Sequence, residues 1–237
     1  LGMIFRSYQS GQQFIDDNKE ILAQYPIETR FFKFNAMNMN DMSNGFAVKV
    51  IDNDKFVLAL RYDIFPMVIY GDDSLLNSLA SELGEYHFKR ILGCEKTVNA
   101  FINIYEKIKG CTHKIIHSMD IMICHQITES NIDTSIVETA NVDDTQRIAE
   151  NLLIFNAELN LEQSDFSKVL KNVQNEIENF VLIRKDNKII SIAKSCQEDD
   201  KVCAISDVFT MKEYRGQGFA RKIMTFITKK ILKKGKY

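Results

Sequence analysis

One short stretch of the sequence, residues 214–220, has the residue types and spacing that can bind a phosphate group. It stands directly before a run with helical periodicity, and the unpaired amides of a helix N-terminus converge at the positive end of the helix dipole. Gly216 and Gly218 can adopt positive φ angles and leave no Cβ between the backbone and an approaching pyrophosphate. Arg215 adds a positive charge, and Ala220 keeps the first helical turn thin. The stretch therefore predicts an anion-binding loop.

Other glycine-containing motifs fit this loop less well. A Walker loop requires Gly-x-x-x-x-Gly-Lys-Ser/Thr, which the sequence lacks. A dinucleotide-binding fingerprint requires a third small residue at the position of Arg221 and a βαβ setting, whereas a hairpin precedes this loop. A plain turn between a strand and a helix is the structural alternative.

The loop and the strand before it resemble the signature of a known family. Residues 205–220 look like the acetyl-coenzyme A signature of the GNAT superfamily of N-acetyltransferases, usually written Arg/Gln-x-x-Gly-x-Gly/Ala. Arg215, Gly218 and the small residues around them match, and the preceding strand has the family's Val-x-Thr character. The residue match is confined to 205–224, and the order of elements extends it to 135–237.

The resemblance implies an N-acetyltransferase that uses acetyl-coenzyme A as co-substrate and the primary amine of a small molecule as acceptor. The pantetheine arm is then expected to contact backbone groups of Val208, Phe209 and Thr210. The pyrophosphate is expected to contact Arg215 and the loop after it, which consists of Gly216, Gln217, Gly218, Phe219, Ala220 and Arg221. A second hypothesis, from a different class, is a non-catalytic acyl-coenzyme A sensor or interaction module.

The family reaction is the direct attack of a neutral amine on a thioester, which requires a base and a hydrogen-bond donor for the developing oxyanion. Asp207 is the candidate base, because it lies on the strand beside the expected cofactor. Its alternative interpretation is a solvent-facing or hairpin-bonded carboxylate. Glu138, on the first strand of the same half, is a weaker candidate. The backbone N–H of Val208 or Phe209 is the candidate oxyanion donor.

The elements that position this loop follow from the periodicity of the second half of the chain. Alternating β-branched runs and helical spacing predict a strand, two helices, a hairpin, a third strand and a last helix. The predicted strands are 135–139, 180–184, 189–193 and 202–209, and the predicted helices are 143–157, 161–179 and 219–234.

The first half of the chain repeats this order of elements. Two helices between Ser10 and Asn38, separated at Pro26, precede a hairpin, a third strand and another helix, and Ser10 is the predicted N-cap of the first helix. The predicted strands are 46–51, 56–62, 67–70, 90–94 and 113–127, and the later helices are 72–84 and 97–110. The fold class is therefore predicted as α/β (α+β), with two GNAT-like domains that each contain a mixed, mostly antiparallel sheet flanked by helices.

The polar stretch between the halves sets the predicted domain boundaries. Residues 3–127 form the first domain, 128–134 a linker, and 135–237 the domain that binds acetyl-coenzyme A. By analogy with 90–127, the second domain is expected to continue with a strand, a helix and a long strand. It is therefore expected to be incomplete, either truncated or completed in trans. In the family this missing region supplies the tyrosine that protonates the leaving thiolate.

At the place of the glycine loop, the first half has one glycine, Gly71, followed by Asp72, Asp73 and Ser74. Two carboxylates would cap the next helix and repel a pyrophosphate. The first domain is therefore predicted to be a degenerate GNAT-like domain without cofactor, with a structural or substrate-lining role.

Composition narrows the classes of partner. The 237 residues carry a net charge of −2 and a pI near 6.1, which gives no general attraction to nucleic acid or an anionic membrane. No membrane span or signal peptide is recognisable, and five cysteines without a paired motif indicate free thiols, so a cytoplasmic protein is expected. His113, His117 and His125 share one face of a predicted strand but have no ligand partners at metal-binding spacing. No metal site is predicted, and no oligomeric state is indicated.

Overall fold

The computed structural model describes residues 2–39, 42–63, 65–86, 88–128, 131–159 and 165–237. The chain divides into two compact units, Leu1–Asp120 and Ile121–Tyr237. Each unit contains one β-sheet with helices packed against it. This is the mixed α/β architecture that the sequence predicts.

The first unit contains a five-stranded sheet in the order β1-β2-β3-β4-β5. All neighbouring strands are antiparallel except β4 and β5, which are parallel. The strands are β1 (Ile4–Ser7), β2 (Gly45–Asp52), β3 (Lys55–Tyr62), β4 (Met67–Gly71) and β5 (Ile91–Leu92). The helices are α1 (Gly11–Asp17), α2 (Lys19–Gln24), α3 (Arg30–Asn38), α4 (Leu76–Glu82) and α5 (Glu95–Lys109).

The predicted pair of helices between Ser10 and Asn38 is in fact three helices. The N-cap is as expected, since the Ser10 side chain accepts a hydrogen bond from the Gln13 amide. The additional break falls at Asn18, whose buried side-chain amide donates to the carbonyl of Phe14 and to the hydroxyl of Tyr8. An asparagine that bonds the backbone in this way competes with the helix, which explains the break.

The predicted long strand at 113–127 is wrong. The structure places neither helix nor strand at residues 111–128. Apolar side chains there are exposed, with 68% of Ile115 and 92% of Met122 accessible to solvent. Alternation predicts which side chains share a face of a strand, but a strand also needs a neighbouring backbone with which to pair. The boundary between the two units lies inside this segment, whereas the sequence places a linker at 128–134.

The second unit contains a four-stranded antiparallel sheet in the order β6-β7-β8-β9. The predicted hairpin is confirmed, and its turn residues Asp186 and Asn187 both have positive φ, as in a type I′ turn. The strands are β6 (Val137–Thr139), β7 (Phe180–Lys185), β8 (Lys188–Cys196) and β9 (Ala204–Thr210), and the helices are α6 (Thr145–Glu158), α7 (Phe166–Glu176) and α8 (Phe219–Lys233). The start of the predicted helix 161–179 lies outside the described residues.

Helices cover both faces of the second sheet. On one face, α6 and α7 pack around Phe180, Leu182 and Phe209. On the other face, α8 packs its Ile223 and Ile227 against β7 and β8. Alternate side chains of β9 therefore enter two different cores, and the backbone of β9 leads from the sheet directly into the loop before α8.

After α8 the chain returns to the residues that directly precede β9. The amide of Tyr237 donates to the carbonyl of Lys201, and the carbonyl of Tyr237 accepts from the amide of Cys203. This is the two-bond pattern of a parallel bridge, the same direction in which β5 pairs with β4. In the described part of the chain, no helix is long and apolar enough to cross a lipid bilayer.

Candidate active site

The turn between β9 and α8 has the backbone geometry expected of an anion-binding loop. A short 3₁₀ turn at Lys212–Tyr214 leads into Gly216 and Gly218, whose φ angles are 75° and 83°. A Cβ at either glycine would meet no atom within 4 Å, so positive φ rather than crowding favours glycine here. Gly218 is the N-cap residue of α8, and no side chain caps the helix there. The first amides of α8 are therefore available to a ligand.

A cavity of about 270 Å³ opens at this turn. Seven of the ten predicted cofactor residues line it, from the end of β9 to the first turn of α8. These seven are Val208, Thr210, Arg215, Gly216, Gly218, Phe219 and Ala220. The other three do not appear in the lining: Phe209 is buried among α6 and α7, Gln217 donates to the carbonyl of Glu213, and Arg221 is exposed.

Tyr214 belongs to the predicted loop 214–220 and also lines the cavity, although the sequence analysis assigned it no contact with the cofactor. Its ring contacts Phe219 edge-on, with 6.5 Å between the ring centres. The ammonium of Lys185 lies 5.7 Å from the centre of the Tyr214 ring. The only signal in the sequence was its position, since it directly precedes Arg215. The ring adds an apolar side to the cavity, which the sequence indicated only through its glycines.

The Arg215 side chain is tied to the protein on three sides. Its Nε donates to the carbonyl of Thr210 at 2.8 Å, and its Nη2 lies 2.6 Å from Oε2 of Glu158. The guanidinium also lies 5.6 Å from the centre of the Phe209 ring. Arg215 therefore links the loop to the end of β9 and to the last residue of α6.

A β-bulge interrupts the pairing of β8 with β9 beside the cavity. Ile192 pairs with Phe209 and Lys194 pairs with Ser206, so two residues of β9 oppose one residue of β8. Asp207 is one of these two and has a positive φ of 53°. A bulge of this kind bends the strand and disturbs the local hydrogen-bond ladder. The candidate base and the candidate oxyanion donor, Val208, both lie at this irregularity.

The carboxylate of Asp207 forms an ion pair with a lysine and does not line the cavity. Its Oδ2 lies 3.1 Å from Nζ of Lys194, and Asp207 is not among the residues that line the cavity. Lys194 also contacts Glu176 at 2.9 Å and lies over the ring of Phe180. Burial alone would lower the pKa of the Lys194 ammonium, but Asp207 and Glu176 outweigh it and raise that pKa above its usual value. Lys194 is therefore a cation at neutral pH.

The comparisons with known proteins bear on this half of the chain. Residues 148–237 match the family model described as "Acetyltransferase (GNAT) family". These residues form a GNAT domain. The match begins within α6 and includes β9, the glycine loop and α8.

A solved structure extends the likeness in fold beyond the GNAT domain. It is described as "Acetyltransferase from GNAT family from Colwellia psychrerythraea" and is 12% identical to this chain. It aligns with a TM-score of 0.54 over 96% of this chain and 85% of its own. At this identity the likeness concerns the fold alone, and it is consistent with two GNAT-like domains. No curated protein matches the chain.

The alternative base, Glu138, is also in an ion pair. Its Oε2 accepts from Nε of Arg184 at 3.0 Å, and Arg184 reaches Asp144 with Nη2 at 2.5 Å. Asp144 also accepts a hydrogen bond from the amide of Asn141, whose side chain caps the turn before α6. Glu138 and Asp144 thus belong to an ion-pair network at the start of α6.

The turn in the first unit that corresponds to the glycine loop has different chemistry. Asp72 caps the turn after β4, accepting from the amide of Ser74 at 2.8 Å. Asp73 accepts from the hydroxyl of Thr97 and pairs with Lys96. The hydroxyl and the amide of Ser74 lower the pKa of Asp72, and the ammonium of Lys96 and the hydroxyl of Thr97 lower the pKa of Asp73. Both carboxyl groups are therefore ionised at neutral pH. The helix start that would receive a phosphate therefore presents two carboxylates.

The glycine of that turn also differs in kind. A Cβ on Gly71 would lie 2.2 Å from the carbonyl oxygen of Phe56 and 2.5 Å from Cα of Val57. Gly71 is thus required by close backbone packing, whereas Gly216 and Gly218 face open space. The two turns occupy equivalent places in the order of elements, but only the second is open to a ligand.

The three histidines of the segment 113–127 do not form a metal centre. His113 contacts Glu106 at 2.8 Å, and the ring of His125 lies 4.6 Å from that of Tyr237. Among the described residues, no group of three or more side chains has the arrangement of a metal site.

Proposed function

We propose that the GNAT domain binds acetyl-coenzyme A as co-substrate and transfers its acetyl group to the primary amine of a small acceptor. The observation that carries this proposal is the cavity at the β9–α8 turn, with its two open glycines and uncapped helix start. The pyrophosphate contacts the amides of 216–221, and the pantetheine arm runs along the backbone of 208–210. Phosphate oxygens are the acceptors that such converging amides favour.

In the proposed reaction the neutral amine nitrogen attacks the carbonyl carbon of the thioester. A nitrogen–carbon bond forms, the attacking nitrogen releases its second proton to water, and the carbon–sulfur bond breaks. Coenzyme A leaves as the thiolate, which takes up a proton from solvent. The amide of Val208 or Phe209, at the bulge in β9, donates to the oxyanion. Asp207, directly or through water, accepts the proton of the acceptor ammonium. To do so it must exchange its contact with Lys194, at 3.1 Å, for the substrate amine.

The competing function is a non-catalytic acyl-coenzyme A sensor. It is favoured by one observation, namely that both candidate bases are already in ion pairs, Asp207 with Lys194 and Glu138 with Arg184. A carboxylate in such an ion pair already contacts one cation and must exchange that partner before it can receive the proton of the acceptor. A sensor needs the cavity that binds the cofactor but needs no catalytic base.

Two measurements on the same protein separate these functions. Isothermal titration with acetyl-coenzyme A reports binding, and release of free coenzyme A thiol over a panel of primary amines reports transfer. Binding together with thiol release supports the transferase, and binding without release on any amine supports the sensor. Absence of binding at millimolar acetyl-coenzyme A would contradict both.

The proposal also assigns the two halves different roles. Residues 135–237 hold the single cofactor site, and residues 3–127, joined through 128–134, lack one and serve as support or line the acceptor site. One molecule of acetyl-coenzyme A should therefore bind per chain. We propose a cytoplasmic setting and a small-molecule partner rather than nucleic acid or membrane, in keeping with five free thiols and a net charge of −2.

A further inference from the structure

The ion pair of Arg215 with Glu158 joins two elements that are far apart in sequence. Glu158 is the last residue of α6, and Arg215 belongs to the loop before α8, 57 residues later. A carboxylate at the C-terminus of a helix faces the negative end of the helix dipole, which is unfavourable unless a cation compensates it. Arg215 supplies that cation at 2.6 Å. The position of Glu158 is therefore explained by its partner rather than by its own helix.

The same guanidinium holds the loop to the strand. Its Nε bonds the carbonyl of Thr210, while the hydroxyl of Thr210 lies 2.8 Å from that of the fully buried Ser191. The hydroxyl of Thr210 is thus fixed by β8, and its main-chain carbonyl is fixed by Arg215. The chain from Ser191 through Thr210 and Arg215 to Glu158 runs from the interior of the sheet to the end of α6.

The loop needs such an anchor because its glycines provide none. Gly216 and Gly218 have no neighbour within 4 Å of where a Cβ would be, so nothing packs against them on that side. Glycine also has more conformational freedom to lose than any other residue when a single conformation is selected. A ligand that had to order this loop would bind more weakly by the free energy of that ordering.

We propose that Arg215 and Glu158 are positioning residues that hold the glycine loop in its binding conformation, and that the guanidinium acts on bound coenzyme A through the loop rather than as a phosphate ligand. The inference rests on the proposed function for its ligand. The charge of Arg215 is already balanced by Glu158, and two of its donors are committed to Thr210 and Glu158.

The variant Glu158→Gln distinguishes a phosphate ligand from a positioning residue, because the two roles predict opposite changes in the affinity for coenzyme A. If Arg215 contacts phosphate directly, removing the competing carboxylate frees the guanidinium, and coenzyme A binds equally well or more tightly. If the pair positions the loop, the same change weakens binding, by about two- to fivefold for a partly exposed ion pair. Titration of coenzyme A into the full chain measures this. Equal or tighter binding by Glu158→Gln would overturn the proposal.

The variant Arg215→Lys adds a second, independent test. Lysine keeps the charge but cannot bond Thr210 and Glu158 in the fork geometry of a guanidinium. Affinity for coenzyme A is expected to fall by about three- to tenfold, and Glu158→Gln in the Arg215→Lys background should add little, because the pair acts as a unit. Full affinity in Arg215→Lys would contradict a positioning role. The matched control is Glu198→Gln, which removes the same charge from the ion pairs with Lys234 and Lys236 and should leave binding unchanged.

A measurement without ligand keeps the inference separate from the proposed function. Hydrogen exchange of the amides of Tyr214 and Arg215, which donate to the carbonyls of Met211 and Lys212, should be faster in Glu158→Gln than in the wild type, with no change in the amides of β7. If wild-type protein binds no coenzyme A, the proposed function fails, and the exchange rates alone decide the positioning role. Unchanged exchange in the loop of both variants would overturn it.

Discussion

The carboxylate of Asp207 lies 3.1 Å from the ammonium of Lys194, and Asp207 holds this contact from a bulge position with a φ angle of 53°. The pair places the candidate base one residue from Val208, which lines the cavity. Because Lys194 is itself a primary ammonium, it occupies the contact that the ammonium of an acceptor would have to take. Substitution of Asp207 therefore tests both its role as the base and the consequence of its ion pair with Lys194.

For Asp207→Asn we expect kcat to fall by about 10²–10⁴-fold, since an amide cannot accept the acceptor's proton. The KM for acetyl-coenzyme A should change little, because the Asp207 side chain does not line the cavity. Steady-state kinetics with saturating amine measure both constants, and Glu138→Gln is the parallel variant for the weaker candidate. An unchanged kcat in Asp207→Asn would assign the proton transfer to another group.

For Gly218→Ala we expect weaker binding of acetyl-coenzyme A together with a modest loss of stability. The φ angle of 83° strains any residue with a Cβ by about 1–2 kcal/mol, although the space around it is open. The matched control is Gly235→Ala after α8, which has φ of 74° and equally open space but lies outside the cavity. Equal binding by both variants in titration calorimetry would support a plain strand-to-helix turn.

For Gly71→Ala we expect the opposite combination, a clear loss of stability without an effect on cofactor binding. The new Cβ would lie 2.2 Å from the carbonyl oxygen of Phe56, so the paired strands β3 and β4 must separate locally. Overpacking of this kind costs about 1–3 kcal/mol in addition to the backbone strain. Thermal denaturation measures it, with Gly84→Ala as a control that meets no atom within 4 Å. A loss of coenzyme A binding in Gly71→Ala would contradict a cofactor-free first domain.

The contribution of Lys194 to the stability of the folded protein should decrease at alkaline pH. Its pKa is raised in the folded protein, so its contribution is complete below the pKa of an unfolded lysine, about 10.4, and is lost as the pH rises through the higher folded value. The difference in melting temperature between wild type and Lys194→Met should therefore be constant at neutral pH and shrink above about pH 10. The exposed Lys230→Met is the matched control against which the trend of Lys194→Met is compared. A difference that stays constant to pH 11.5 would mean that the ion pairs of Lys194 do not favour its charged form.

The sequence by itself determined the local features. Turn residues and alternation predicted both hairpins, Ser10 was predicted as an N-cap, and Gly110 was predicted as the end of α5, where it adopts a left-handed conformation. The glycine loop was found in the same way, because the φ angles it needs are a property of the residues themselves. These features depend on neighbours within a few positions, which the sequence displays directly.

The tertiary structure alone decided which partners the functional side chains have. Arg215 contacts a carboxylate 57 positions away, and Lys194 contacts one that is 18 positions away. Neither pairing leaves a periodic trace in the sequence, because each depends on how helices pack on the sheet. The segment 113–127 fails as a predicted strand for the related reason that pairing requires a backbone elsewhere in the chain. Local chemistry thus identified the glycine loop, and long-range packing determined which side chains hold it in place.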